Sequence, residues 1–494
     1  RHQVGVAPRM TESGSSIQSG GGVASIRRSG IVPLVGAGLF VVFCHAWLVV
    51  VTRGLTHADA QSFVAVLPLI LGLAVPTGLL LLVAARLAAA PVTRLAIGVV
   101  VVVGLVLRLI WFGTPPPLED DFYRYLWDGA LVARGLDPYA YPPEAFFGEW
   151  TGSAAYAGIA QSAQDVVRKI NFPDMRTIYP SVAQAAFAIA HVVMPFEVDG
   201  LRLVFLAGEI ATLGLIVMML VRLGQSPLWA VLYWWNPFVA FMMVGIAHVD
   251  ALIPPFVLGA VLALSRERVL TALVLIGLGA GIKVWPILLA PMVLWPLRQS
   301  LVRIAGASVW LGLVLMVAVG PVVFSALRPG SGLSAYASGW SNNNAIYAWM
   351  HYGIAGLFGS WETAGRVVRP MLGLATAVIA VAMAVRGDGS LPSLAGRALV
   401  IGAATFYLSP AQFPWYAVWF LPLAAVSRNG PLLAASALLP SYYLFYPLWP
   451  VDNGTWFFYG TAFIHALPVL GGLLFVWHRG RSPDEHINAP RSTP

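Results

Sequence analysis

Apolar runs of about 17 residues or more recur along most of this chain, and each can cross a hydrocarbon core as a helix. No other feature limits the fold as severely. Only 10% of the 494 residues are charged and 59% are hydrophobic, whereas soluble domains carry about 25% charged residues. The expected class is an all-α polytopic membrane protein. Its net charge of +8 is therefore no nucleic-acid signal: the basic residues sit mostly in short loops between apolar segments, in the manner of the positive-inside rule. The single cysteine, Cys44, lies inside an apolar run, so neither an intrachain disulfide nor a cysteine metal cluster is possible.

Residues 1–29 are Gly/Ser-rich and end in Arg27-Arg28. They read as a disordered cytoplasmic tail, not a cleaved signal, because no small-residue cleavage site follows. A membrane domain is expected over 30–480 and a second cytoplasmic tail over 481–494. Apolar segments fall at 31–51, 62–86, 94–112, 178–195, 201–222, 227–246, 249–264, 269–284, 286–297, 304–325, 366–386, 396–409, 412–427, 431–449 and 456–478. The third delivers the loop 113–177 to the outer face. That loop holds nine acids against five bases. A second outer loop covers 326–365. Fifteen crossings conflict with the basic run His478-Arg479-Gly480-Arg481, which argues for an inside C-terminus. Either one segment is re-entrant or two neighbours form one kinked helix; 285–296 is the first suspect and 178–195 the second. The count thus lies at about 12–15 segments. No sequence repeat is evident.

One stretch concentrates the scarce charge. Glu119 to Gly129 holds four carboxylates, one arginine and four aromatics, directly after Pro115-Pro116-Pro117. The prolines stop a preceding helix, and the acids suit the positive end of a new one. At 100° per residue, Asp121, Arg124, Tyr125 and Asp128 share one side, and Phe122, Tyr123, Leu126, Trp127 and Ala130 the other. This pattern predicts an amphipathic helix lying in the membrane interface, aromatic face down. The bland alternative is an interfacial helix with an ordinary Asp121–Arg124 ion pair, worth about 0.2–0.5 kcal/mol. Adjacent acids favour chemistry: one of Asp120 and Asp121 can have a raised pKa and serve as a base. The following Gly135-Leu136-Asp137-Pro138-Tyr139-Ala140-Tyr141-Pro142-Pro143 reads as a carbohydrate-contact surface.

The run Asp120-Asp121-Phe122-Tyr123-Arg124-Tyr125-Leu126-Trp127-Asp128-Gly129, with Asp137-Pro138-Tyr139, resembles the first outer loop of GT-C glycosyltransferases. It is most similar to actinobacterial-type polyprenol-phosphate-mannose-dependent α-mannosyltransferases. Further matches follow in order at Ile178–Gln184, Trp235-Asn236-Pro237-Phe238, Gly245–Asp250, Lys283-Val284-Trp285-Pro286 and Phe413-Pro414-Trp415-Tyr416. Together they span about 95–425. Tyr179-Pro180-Ser181 departs from the usual Tyr-Pro-Pro, which bears on where that helix starts. The resemblance implies a GT-C-like bundle and transfer of a sugar, mannose or another hexose, from a polyprenyl-phosphate donor to an acceptor hydroxyl, with inversion. On this sequence it assigns the base to Asp121, or to Asp120 beside it, and the donor phosphate to Arg124. A guanidinium fork matches phosphate oxygens.

Tyr125 and Asp128 accompany Arg124 as substrate-binding candidates. Lys283, in an apolar stretch, is either functional or snorkelling to the interface. His248 and Asp250 either line the cavity or, through Asp250, cap the next helix. His351, in the second outer loop, is a candidate for phosphate or acceptor binding or a solvated loop residue. Glu209 is expected to pair with a neighbouring helix, and Trp415, Tyr416 and Trp419 to form an interface belt rather than a sugar platform. No metal or other cofactor is expected, since no His/Asp/Glu cluster has ligand spacing. The expected partners are the polyprenyl-phosphate sugar, a glycan or lipid-linked acceptor, and membrane lipids. The expected location is the cytoplasmic (inner) membrane, with the site facing the periplasm or exterior. A transporter or lipid flippase is the alternative of another class; a glycan polymerase, keyed on 326–365, is weaker because that loop has no acid before Glu362.

Overall fold

Backbone polar groups in hydrocarbon must be satisfied within their own segment, so long apolar runs become helices. The computed structural model of the chain describes residues 21–148, 150 and 152–479, and the described part is helical with no strand. Two isolated bridges, Arg176 to Ser331 and Asn342 to Ala411, are its β-type pairings. The expected tails at 1–20 and 481–494 lie outside the described residues. The first helix begins at Gly21, inside the stretch expected to be a tail up to residue 29.

Among the described residues, six helices are long and apolar enough to span a membrane: Ile31–Thr52, Phe63–Ala88, Val198–Arg222, Leu301–Ala318, Trp361–Val385 and Phe457–His478. A seventh span arises if Pro227–Trp234 and Pro237–Gly245 are taken together across their 57° bend. Five shorter apolar helices complete the set. The other apolar segments form shorter or broken helices. Both suspect regions are short: Trp285–Leu297 is broken into 3₁₀ and α pieces, and Ser181–Val193 has 13 residues. At 1.5 Å per residue a helix of that length covers only about 20 Å.

The sharpest break has a local cause. Asn236 accepts from the amides of Phe238 and Val239 at 3.1 and 3.4 Å, capping a new helix that starts with Pro237. Its amide donates to Ser436 at 2.9 Å, so the break is also pinned across the bundle. A π-turn over Phe241–Gly245 follows, and the chain then runs to His248.

Charges within the bundle are paired. Arg108 and Glu209 are fully buried, 2.5 Å apart, and Tyr233 donates to Glu209 at 2.6 Å; Glu209 thus meets neighbouring helices as expected. Arg202 donates to the carbonyls of Thr114, Val244 and Gly245 at 2.6–3.0 Å and to Asp199 at 2.8 Å. Asp199 in turn accepts from the Gly113 amide at 2.8 Å. One buried guanidinium therefore ties the entrance of the acidic loop to the segment leading to His248.

The acidic helix runs Asp121–Ala133, after the prolines as expected. Its aromatic face is not left open to lipid. Phe122 and the residues from Arg124 to Leu131 are all buried, because the helix packs face to face with Ser181–Val193. Tyr125 stacks on Phe187 at 4.5 Å, and any side chain at Gly129 would strike the Phe187 carbonyl. Glycine is required there for the close approach. Helix Ser181–Val193 starts directly after Pro180, which settles the register at the departed Tyr-Pro-Ser.

The aromatic segment after the helix packs in part against the protein. Tyr139 is buried and donates to the Tyr179 carbonyl at 2.7 Å, and Tyr141 joins a ring cluster with Phe146, Trp150 and Tyr156. The two outer loops meet: the Arg176 amide donates to the Gly330 carbonyl at 3.0 Å, and the Arg176 guanidinium reaches the carbonyls of Ala140 and Pro329. Loops 113–177 and 326–365 therefore share one face of the bundle.

Candidate active site

Where those loops meet, a cleft of about 390 Å³ opens. Glu119, Asp120, Asp121 and Arg124 line one wall, and Lys283 and the Phe413–Tyr416 segment line another. Of the residues singled out from sequence, Asp120, Asp121, Arg124 and Lys283 face the cleft. Tyr125, Asp128, His248 and Asp250 are packed behind it, each 0–1% exposed.

The two adjacent acids share one clamp. The Asn171 amide donates to Asp120 Oδ1 at 2.6 Å and to Asp121 Oδ1 at 2.9 Å. Burial and the neighbouring Asp121 charge push Asp120 up to about 6, although the Asn171 bond pulls it down. Burial also raises Asp121, while the Asn171 bond and the Lys283 charge oppose the shift. Glu119 is raised well above the ordinary value by burial and by both aspartates. Three carboxylates in one cleft wall titrate together, with the protons belonging to the group.

Arg124 donates through Nη2 to the carbonyls of Phe172 and Met175 at 3.1 and 3.0 Å. It holds the cleft's far edge while its guanidinium remains part of the lining. Burial disfavours its charge, and Asp128 is the foremost group supporting it. Asp128 is fully buried behind it and accepts from Gln184 at 3.0 Å.

Lys283 neither snorkels nor stands free. It donates to both oxygens of Asp250 at 2.8 and 2.9 Å and sits 3.7 Å from the centre of the Tyr416 ring. Asp250 also accepts from Trp419 at 2.8 Å. The helix-cap reading of Asp250 is thereby replaced: its oxygens are spent on a side-chain pair. The expected interface belt is replaced as well. Trp415, Tyr416 and Trp419 are buried at 5–7% exposure, with Trp415 stacked on His248 at 3.7 Å. His248 Nε2 lies 3.8 Å from Glu119, and its Nδ1 is 3.5 Å from the Tyr125 hydroxyl. Trp415 and Tyr416 are cleft wall and Trp419 is packed behind them on Asp250, because the chain returns there through Phe413-Pro414, where apolarity alone could not separate belt from core.

His351 is elsewhere. It bonds the Trp361 carbonyl at 3.0 Å and lines a second hollow. Sequence reasoning missed Asn171, Asn342 and Tyr442 as cleft residues, and gave Tyr179 only as part of a family match; neutral side chains far from the acidic motif carried little signal. Backbone strain was equally invisible. Leu118, Phe172 and Ala247 adopt φ of 59°, 47° and 57°, each immediately beside Glu119, Asn171 or His248. Left-handed non-glycine residues gather where surrounding structure forces a functional geometry. Two of their carbonyls are anchored, Leu118 by Tyr446 at 2.8 Å and Phe172 by Arg124. Among the described residues no three His, Cys, Asp or Glu side chains converge as metal ligands.

These couplings predict a pH profile. A base in this cleft must be ionised, so kcat/KM should rise with pH along an acid limb lying above the ordinary aspartate value of 3.8. Asp120→Asn removes one like charge and should move that limb to lower pH. Asn171→Ala removes a bond to the ionised forms and should move it to higher pH. Stability runs the opposite way with pH. A carboxyl raised to about 6 favours the fold fully below 3.8 and progressively less as pH rises through 6. Asp120→Asn should therefore raise the melting temperature more at pH 8 than at pH 4; equal gains at both would contradict the coupling.

Comparison with known proteins bears on the stretch that builds most of this cleft. Residues 32–299, more than half of the chain, match the family model described as alpha-(1->6)-mannopyranosyltransferase, N-terminal domain. The matched stretch carries Asp120, Asp121, Arg124, Asn171, His248, Asp250 and Lys283. No curated protein matches the chain.

Proposed function

The chain belongs to the alpha-(1->6)-mannopyranosyltransferase family, and we propose that it moves mannose, or another hexose, from a polyprenyl-phosphate donor to an acceptor hydroxyl with inversion. At the coarser level it is a multi-pass membrane glycosyltransferase of mannosyltransferase type. The family is one of transferases, which sets aside the transporter or flippase alternative.

One observation carries the reading: Asp121 and Arg124, one helical turn apart, both face the same cleft. Asp121 accepts the proton of the acceptor hydroxyl, whose oxygen bonds to the anomeric carbon. The bond from that carbon to the phosphate oxygen breaks, and the departing phosphate gains charge where Arg124 presents a cation. Lys283, held by Asp250, adds positive potential from the opposite wall. Inversion to an α product requires a β-linked sugar phosphate, a constraint on the donor that follows from the stereochemistry alone. No metal or cofactor is assigned a part.

The test is purified protein supplied with synthetic β-linked polyprenyl-phosphate hexoses, with released polyprenyl phosphate and product configuration measured together. Release with an α product is expected. No release from any such donor, or a β product, would overturn the proposal.

Orientation is part of the same proposal: the cleft faces the periplasm or exterior of the cytoplasmic membrane. Ser153 and Ser338 are exposed on the two loops. Cysteine placed at either, in a Cys44→Ala background, should react with a membrane-impermeant thiol reagent in cells whose inner membrane is intact. Labelling only after lysis would place the cleft on the other side.

A further inference from the structure

Beyond the cleft, on the same face, lies a second hollow of about 680 Å³. It is built by the helix Ile346–Phe358, the first turns of Trp361–Val385 and the turn carrying Tyr459. The two hollows share a wall. Along residues 336–342, Tyr336, Trp340 and Asn342 face the cleft, whereas Ser338, Gly339 and Ser341 face the second hollow. This wall is tied down: the Asn342 amide donates to the Pro410 carbonyl at 3.0 Å, and the Gln412 amide donates back to the Asn342 carbonyl at 2.8 Å. Arg369, from the second hollow, donates to the Trp340 carbonyl at 2.9 Å.

We propose that the second hollow binds the acceptor saccharide beyond the unit whose hydroxyl reacts, so that one glycan chain lies across the shared wall. This rests on the transferase reading given above. The chemistry of the lining points to an uncharged polyol. His351 is stacked with Tyr347 at 5.2 Å and lies 5.1 Å from the Trp361 ring, and Trp361 remains 53% exposed. Rings with a polar tip suit a ligand that has both C–H faces and hydroxyls. The charges present are engaged within the protein, although only one pair is matched in sign. Glu362 pairs with Arg366, and Arg369 is engaged by the Trp340 carbonyl and lies 5.1 Å over the Tyr347 ring. One positive charge therefore remains, on Arg369, but its guanidinium is turned to the wall carbonyl and the Tyr347 ring; the ring-rich lining and the wall shared with the cleft make a saccharide a better occupant than a lipid. Glu362 and Arg366 are instead placed to exchange hydrogen bonds with neighbouring hydroxyls, as acceptor and donor side by side.

The experiment compares a monosaccharide acceptor with an oligosaccharide of the same linkage, at saturating donor. The wild-type protein should prefer the longer acceptor. Trp361→Ala should reduce that preference, the ratio of the two kcat/KM values, by roughly tenfold, the loss expected when one apolar contact is removed. Glu362→Gln, an exposed and conservative change, should reduce it several-fold. Leu357→Ala, on an exposed outer position of the same hairpin, should leave it unchanged. Calorimetry with the oligosaccharide alone, without donor, should show weakened binding in the same two variants. If Trp361→Ala misfolds, Glu362→Gln with the calorimetric measurement still decides. An unaltered ratio in Glu362→Gln and unaltered oligosaccharide binding would overturn the subsite. So would weakened binding of donor-lipid vesicles in place of the saccharide, which would assign the hollow to lipid. Failure of the wild-type protein to transfer to either acceptor would instead overturn the transferase reading.

Discussion

Asp121→Asn should lower turnover by about 10²–10⁴-fold, the usual contribution of a positioned base, with donor affinity nearly intact. The substitution is close to silent for the fold. Asparagine keeps an Oδ1 acceptor for the Asn171 amide, which reaches Asp121 at 2.9 Å, and it removes a carboxylate that burial already disfavours. What it loses is the lone pair able to take a proton. Asp120→Asn is the matched control, since the same amide bonds Asp120 at 2.6 Å; its effect should be smaller and appear mainly as the shifted acid limb. Arg124→Ala should instead weaken donor binding. It also frees the carbonyls of Phe172 and Met175, so Arg124→Lys should recover only part of the loss: it restores charge but not the planar fork. Single-turnover rates separated from donor binding check all three. Normal turnover in Asp121→Asn with a dead Asp120→Asn would move the base by one residue. Full activity in both would remove this wall from the chemistry.

How much of this was readable in the sequence depends on how far apart the partners lie. Asp120, Asp121 and Arg124 stood out because charge is so scarce in the chain, and three prolines marked where their helix begins. Within one helix, spacing fixes which residues share a face, and Asp121 and Arg124 do share the cleft. The same spacing could not say what covers the other face. It read Phe122, Leu126 and Trp127 as lipid-facing, whereas helix Ser181–Val193 and its neighbours cover them, an arrangement that needs Gly129 against Phe187. Long-range pairing was the harder problem. Asn171 follows Asp121 by fifty residues, and Trp419 follows Asp250 by 169, with no periodicity linking them. Apolar run length also hid the breaks within segments: a single Asn-Pro cap at 236–237 turns one continuous run through 57°. His351 illustrates the opposite error: an ionisable side chain in the correct loop faces the second hollow, since the wall at 336–342 lies between it and the cleft.

The second large effect is expected behind the cleft, at the pair Lys283–Asp250. Asp250 is fully buried and spends both oxygens on the Lys283 ammonium and one of them also on the Trp419 indole. Removing one partner leaves the other as an unmatched charge in a low-dielectric wall, which typically costs about 3–5 kcal/mol. Asp250→Ala should therefore lower the melting temperature in detergent sharply. Lys283→Met should do the same, from the opposite sign of charge. Replacing both, Lys283→Met with Asp250→Leu, should return much of the stability, because a buried ion pair is often no better than apolar residues of similar volume. Function should not return with it. Lys283 faces the cleft and contributes to the field that pulls on Asp121, so the double variant should fold yet bind the anionic donor weakly. The double-mutant cycle separates the two roles. If the single variants melt like the parent protein, the pair does not hold the wall; if the stable double variant binds donor normally, the lysine serves packing alone.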